Sequence, residues 1–129
     1  MSEQITSLIE RYAASYMAGD AEAIAAMCED PFLAVRNGAA IHLADRGAIV
    51  AHFAANMAAY RAAGAASAEP LEIVVLEQGE VAVLATVSWV VRGSDGTPIR
   101  RFRTSYQLAG DPLRILAYVN HDPRPRVGP

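Results

Sequence analysis

The chain has 129 residues, 53 % hydrophobic and 19 % charged, with a net charge of −3 and no lysine, so every fixed positive side chain is an arginine. That length fits one domain with a core of its own, taken as residues 1–122 followed by a Pro/Arg-rich tail over 123–129. The acidic balance excludes an electrostatic footprint for nucleic acid or an anionic membrane, the single cysteine excludes an intrachain disulfide, and no apolar run reaches the roughly 18 residues needed to span a bilayer. With no signal-like segment at the start, the cytoplasm is the expected location.

The first helix carries Ile5, Leu8, Ile9, Tyr12 and Tyr16 on one face and is expected to stop at Gly19, with Asp20 capping the next helix. Both phenols lie on the stripe that must be buried. A buried tyrosine hydroxyl needs a partner, so this face is either a core with satisfied phenols or the wall of a pocket with polar tips. A short second helix over residues 20–28 carries Ile24, Met27 and Cys28 and is closed by Pro31. Phe32 to Arg36 and Ala39 to Leu43 flank Asn37-Gly38, the pair that best tolerates a type I′ hairpin turn. Asp45 caps a third helix that runs to about Gly64, with Ile49, Phe53, Met57 and Tyr60 on one face and Asn56 in the same stripe.

Beyond residue 70 the hydrophobic period changes from helical to alternating. Four strands are expected over Leu71–Glu77, Glu80–Arg92, Ile99–Leu108 and Leu113–Asn120, separated by Gln78-Gly79, Ser94-Asp95-Gly96 and Gly110-Asp111-Pro112. Helices first and an antiparallel meander afterwards define an α+β domain, with the helices laid on one face of the sheet. In the second of these strands the odd row, Val81 to Val91 with Trp89, is expected to meet the helices. The even row is also half apolar, as are Ile115, Ala117 and Val119 in the last strand. With Arg101 and Arg103 beside it, this second face has the composition of a protein contact.

On the same alternation Phe102, Thr104 and Tyr106 face inward with Trp89, and the last strand adds Leu116, Tyr118 and Asn120. Together with Tyr12, Tyr16 and Asn56 they make an apolar cavity holding a few neutral polar groups, suited to a small hydrophobic ligand oriented by hydrogen bonds. The alternative is a packed core whose hydroxyls bond one another. The histidines at 42, 52 and 121 have no ligand-like spacing, so neither a metal nor another cofactor is expected. His52, about 60° from Ile49 around the third helix, reads as a half-exposed surface residue. His121, beside Asp122 at the expected cavity mouth, is a weaker acid/base candidate than Tyr12 is a hydrogen-bond donor. Arg36 reads either as a clamp on an anion or as a surface side chain, with the surface taken as its place. No phosphate loop, nucleophile elbow or Cys/His pair is present.

The order helix, Ala-Gly-Asp elbow, second helix, hairpin, long helix and four-stranded meander resembles the nuclear-transport-factor-2-like superfamily, in its SnoaL-like and ketosteroid-isomerase-like branches. The resemblance runs from about Ile5 to His121 and implies a cone-shaped α+β barrel: a curved antiparallel sheet of four long strands plus a short hairpin, packed against three N-terminal helices. It also implies a pocket between sheet and helices and a homodimer through the outer sheet face. Aligned through Arg11-Tyr12 and Ala18-Gly19-Asp20, Tyr12 falls on the isomerase's oxyanion-hole tyrosine. Its aspartate base falls at Arg36 and its second oxyanion donor near Thr104. An arginine cannot abstract a proton near neutral pH, so steroid isomerisation is not expected. A metal-free isomerase, cyclase or hydrolase, or else a non-catalytic ligand-binding or dimerisation module, is what the resemblance leaves open.

Overall fold

The computed structural model describes residues 2–121; the tail over 123–129, and Asp122 beside His121, lie outside the described residues. Helices α1 (Ser2–Ala18), α2 (Ala21–Ala26) and α3 (Arg46–Ala62) pack against strands β1 (Cys28–Arg36), β2 (Ala39–Leu43), β3 (Ala65–Glu77), β4 (Ala82–Gly93), β5 (Pro98–Ala109) and β6 (Arg114–His121). None of these helices is long and apolar enough to cross a membrane.

The elbow after α1 forms as its residues require. Gly19 has φ +72°, its N–H bonds the Tyr16 carbonyl at 3.2 Å, and the Asp20 N–H bonds the Ser15 carbonyl at 2.9 Å, the paired bonds of a Schellman cap. Asp20 Oδ1 then accepts from the Ala23 N–H at 3.0 Å and starts α2. Asp45 does the same for α3 through the Ala48 N–H. Asn37 and Gly38, both with positive φ, make the β1–β2 turn.

The six strands form one sheet in the order β2-β1-β6-β5-β4-β3. Every neighbouring pair is antiparallel except β1 and β6, which run parallel, so the sheet is mixed rather than wholly antiparallel. Strands β2 and β3 are its two edges, and the curved sheet does not close into a full barrel. The core lies between the inner face and the helices: Ile5, Leu8 and Ile9 of α1, Ile24 of α2 and Phe53 of α3 meet Val83, Ala85 and Val87 of β4.

Three local expectations need correction. The second helix ends at Ala26, and Cys28 and Pro31 belong to β1 rather than to the helix and its stop. Pro31 sits where the β1–β6 register shifts, a place that tolerates a missing N–H. Cys28 is buried, its thiol donates to the Ile24 carbonyl at 3.3 Å, and burial pushes that thiol up to about 12. Strand β3 begins at Ala65, six residues before Leu71, because it is an edge strand and Pro70 lies at a second register shift. Finally, the β5–β6 ladder slips between Gln107 and Leu108, so Ile115 pairs with Leu108 and points into the core while Leu116 does not. One extra residue in a ladder flips every side chain beyond it. Ile115 therefore leaves the outer row, which keeps Ala117 and Val119.

Candidate functional site

A cavity of about 450 Å³ opens between the inner face of the sheet and helices α1 and α3. Tyr12, Tyr16, Asn56, Trp89, Phe102, Thr104, Tyr106, Tyr118 and Asn120 all line it. Helical spacing puts the first three there, and the alternation of β4, β5 and β6 supplies the rest. At its buried wall the Tyr12 ring lies edge-on to Tyr106 at 5.3 Å and beside Trp89 at 6.2 Å. The Trp89 indole N–H donates to the Tyr106 hydroxyl at 3.2 Å, and Thr104 Oγ1 donates to Asn120 Oδ1 at 2.9 Å. Burial first, and then the neighbouring Tyr106 and Tyr16 phenols, holds the Tyr12 hydroxyl well above the ordinary tyrosine range. It is a neutral hydrogen-bonding group throughout the physiological range.

Sequence reasoning left four polar residues out of the candidate site, Arg36 among them because the surface was preferred to the clamp. Arg36 is not on the surface: β1 alternates, Phe32 and Ala34 are buried on the inner row, and Arg36 continues that row into the cavity. Its Nη1 donates to Asn56 Oδ1 at 2.7 Å. That bond fixes the amide, whose Nδ2 then faces His52 Nε2 at 3.4 Å, and the Tyr118 hydroxyl lies 2.6 Å from the same nitrogen. Because the Asn56 amide can only donate there, Nε2 is an acceptor and Tyr118 donates to it. His52 is thus tied to the cavity wall through Tyr118, although it is partly exposed as its position on α3 implies. Tyr60 and Arg100 stand at the exposed rim. The Arg100 guanidinium lies 4.4 Å over the Phe102 ring and donates to the Tyr60 hydroxyl at 2.6 Å. The helical stripe of α3 contained the signal for Tyr60, and the alternation of β5 that turns Phe102, Thr104 and Tyr106 inward contained it for Arg100, which lies on the row opposite to Arg101 and Arg103.

The structure takes Leu116 and the acid/base candidate His121 away from the cavity. His121 pairs with Arg103, lies on the outer row of β6, and its Nε2 is 2.8 Å from Ser105 Oγ, which in turn meets Thr86 Oγ1 at 2.7 Å. The reason is parity: Tyr118 and Asn120 face inward, so residue 121 faces out.

Burial, and secondly the Arg36 charge, lowers the His52 pKa below its ordinary 6.5. The folded state then binds less proton than the unfolded chain, so the stability it contributes is present above about pH 6.5 and is lost as pH falls through that range. His52→Gln is expected to flatten the fall in melting temperature between about pH 7 and pH 5. An unchanged slope in a pH series of thermal melts would contradict this.

A mixed, curved sheet wrapped around a lined cavity and backed by three helices is the architecture of the NTF2-like α+β proteins. The chain belongs to the family described as NTF2-like protein (DUF6841), whose sequence profile matches residues 2–123. Among solved structures it is similar to an NTF2-like protein with a cystatin-like fold from Novosphingobium aromaticivorans, at 23 % identity and a TM-score of 0.77, covering 98 % of this chain and 84 % of that one. Aln2 from a Streptomyces species is 20 % identical with a TM-score of 0.73, over 93 % of this chain and 89 % of that one. A candidate ketosteroid isomerase from Shewanella frigidimarina is 15 % identical with a TM-score of 0.70, over 89 % and 92 %. At these identities the likeness is one of fold. No curated protein matches the sequence.

Proposed function

We propose that this chain is a SnoaL-like member of its family that receives a small, mostly hydrophobic molecule in the cavity between sheet and helices. The observation that carries the reading is the unfilled space of about 450 Å³ against Tyr12, Trp89, Phe102 and Tyr118, an aromatic wall whose polar atoms are neutral donors and acceptors apart from the guanidinium groups of Arg36 and Arg100. As an enzyme it would be an isomerase, cyclase or hydrolase working without metal. His52, acting through Tyr118, is the imidazole tied to this wall; held neutral by burial and then by the Arg36 charge, it would act as a proton acceptor. Against catalysis, no carboxylate lines the cavity among the described residues, and this favours the second reading, a non-catalytic ligand-binding module. A cytoplasmic location belongs to the same proposal.

The reading is tested with a neutral aromatic ketone, 2-acetylnaphthalene, titrated by calorimetry. One site per chain is expected, and Tyr12→Phe is expected to weaken it by about 0.5 to 1.5 kcal/mol, one neutral hydrogen bond, with the melting temperature little changed. A Tyr12→Phe variant that melts several degrees lower while binding as before would make the hydroxyl part of the core instead.

The outer sheet face is proposed as a homodimer interface. Leu33, Val74, Leu76 and Val119 are exposed there, Val119 by 41 % and Leu76 by 59 %, and the strand pairings place them on the row of Leu84 and Ala117 with Arg103 beside them. Apolar area of this kind is normally covered. Sedimentation equilibrium is expected to give a dimer at micromolar concentration and a monomer for Val119→Glu. A wild-type chain that sediments only at 13.7 kDa would remove the interface.

A further inference from the structure

Among the described residues the cavity contains a cation, Arg36, with no carboxylate beside it. Two arginines and no carboxylate line it among the described residues. The ion pairs among the described residues, Arg46–Glu22, Arg92–Glu69 and Arg114–Glu29, lie outside the cavity and leave Arg36 out. Arg36 is half-buried, and its side-chain partners among the described residues are neutral: the Asn56 amide oxygen, 2.7 Å from its Nη1, and the Tyr118 hydroxyl. A guanidinium withdrawn from water loses hydration that neutral acceptors restore only in part, and with five N–H donors it retains some in a planar fork suited to a carboxylate. The rest of the wall repeats the theme. The Asn56 amide nitrogen and the Tyr118 hydroxyl are both directed at His52, whose protonation is opposed by burial first and then by the Arg36 charge, so the group beside Arg36 stays neutral. Phe53, Trp89 and Phe102 supply flat apolar surface around it.

We propose that the molecule this cavity takes is a monocarboxylic acid on an apolar, ring-bearing body, with its carboxylate on the Arg36 guanidinium and its body against Trp89 and Phe102. The inference rests on the pocket reading above and adds the charge of the ligand. A single fixed cation among neutral aromatic groups matches one negative charge. A dianion such as a phosphate monoester would leave one charge desolvated without a partner. The other lining arginine, Arg100, is at the exposed rim and already engages Tyr60 and Phe102.

The test compares 2-naphthoate with 2-naphthamide, which share a shape and differ in charge. Trp89 is the only tryptophan in the chain, so its indole N–H gives one NMR signal from inside the cavity. Both probes are expected to shift that signal, with naphthoate binding at least about tenfold more tightly at pH 7. Arg36→Gln is expected to bring the acid down to the level of the amide. Arg36→Lys, which keeps a point charge without the fork, is expected to retain part of the preference and guards against a loss that is only structural. Equal affinity for acid and amide in the wild type, or a preference that survives Arg36→Gln, would overturn the proposal while leaving the pocket reading in place. If neither these probes nor 2-acetylnaphthalene moves the Trp89 signal, the pocket reading falls and this one with it.

Discussion

Phe53→Ala is expected to destabilise the fold by about 3 to 5 kcal/mol, the range for deleting a buried aromatic ring. Phe53 is 1 % exposed and holds the aromatic layer together from α3. Its ring meets Tyr12 and Tyr16 of α1, each at 6.2 Å, and Phe32 of β1 and Tyr118 of β6, each at 6.0 Å. Those partners come from three other elements, so the void left by alanine cannot be closed by one side chain moving. Denaturant unfolding gives the difference directly. A loss under about 1 kcal/mol would mean that the layer collapses onto the cavity beside it and that the space there is not held open by the fold.

Val91→Phe is expected to do the opposite to stability and to end ligand binding. Val91 is buried on β4 and lines the cavity, so two residues along the inner row from Trp89 the added ring enters empty space instead of packed atoms. Phenylalanine also suits a strand. Filling a cavity typically adds about 0.5 to 2 kcal/mol, and loss of 2-acetylnaphthalene affinity by at least about tenfold is expected with it. A large drop in melting temperature would show that the space is already occupied by packed side chains, since overpacking costs about 1 to 3 kcal/mol.

The fold was legible in the sequence wherever a local rule decides it. Gly19 and Asp20 set the elbow, Asn37-Gly38 set the hairpin, and alternation in β4 and β5 placed Trp89, Phe102, Thr104 and Tyr106 on one face. What failed to show was non-local. The parallel pairing of β1 with β6 joins residues about 85 positions apart, as Cys28 and Ile115 show, and no residue pattern announces it. The slip beside Leu108 reverses the inward row of β6 at Ile115, a property of the pairing and not of either strand. Arg36 and His121 show how the site depends on these points. Alternation alone would have turned Arg36 inward with Ala34 and His121 outward beside Asn120, but charge suggested a surface place for the first and its neighbour Asp122 a catalytic place for the second.

The central claim, that the space beside Tyr12 and Trp89 receives a small apolar molecule, is tested most directly by nuclear Overhauser contacts between 2-acetylnaphthalene and the protein. Contacts from the naphthyl protons to the rings of Trp89, Phe102 and Tyr118 are predicted. Contacts confined to the outer-face methyls of Val74, Leu76 and Val119, or none at millimolar probe, would contradict it.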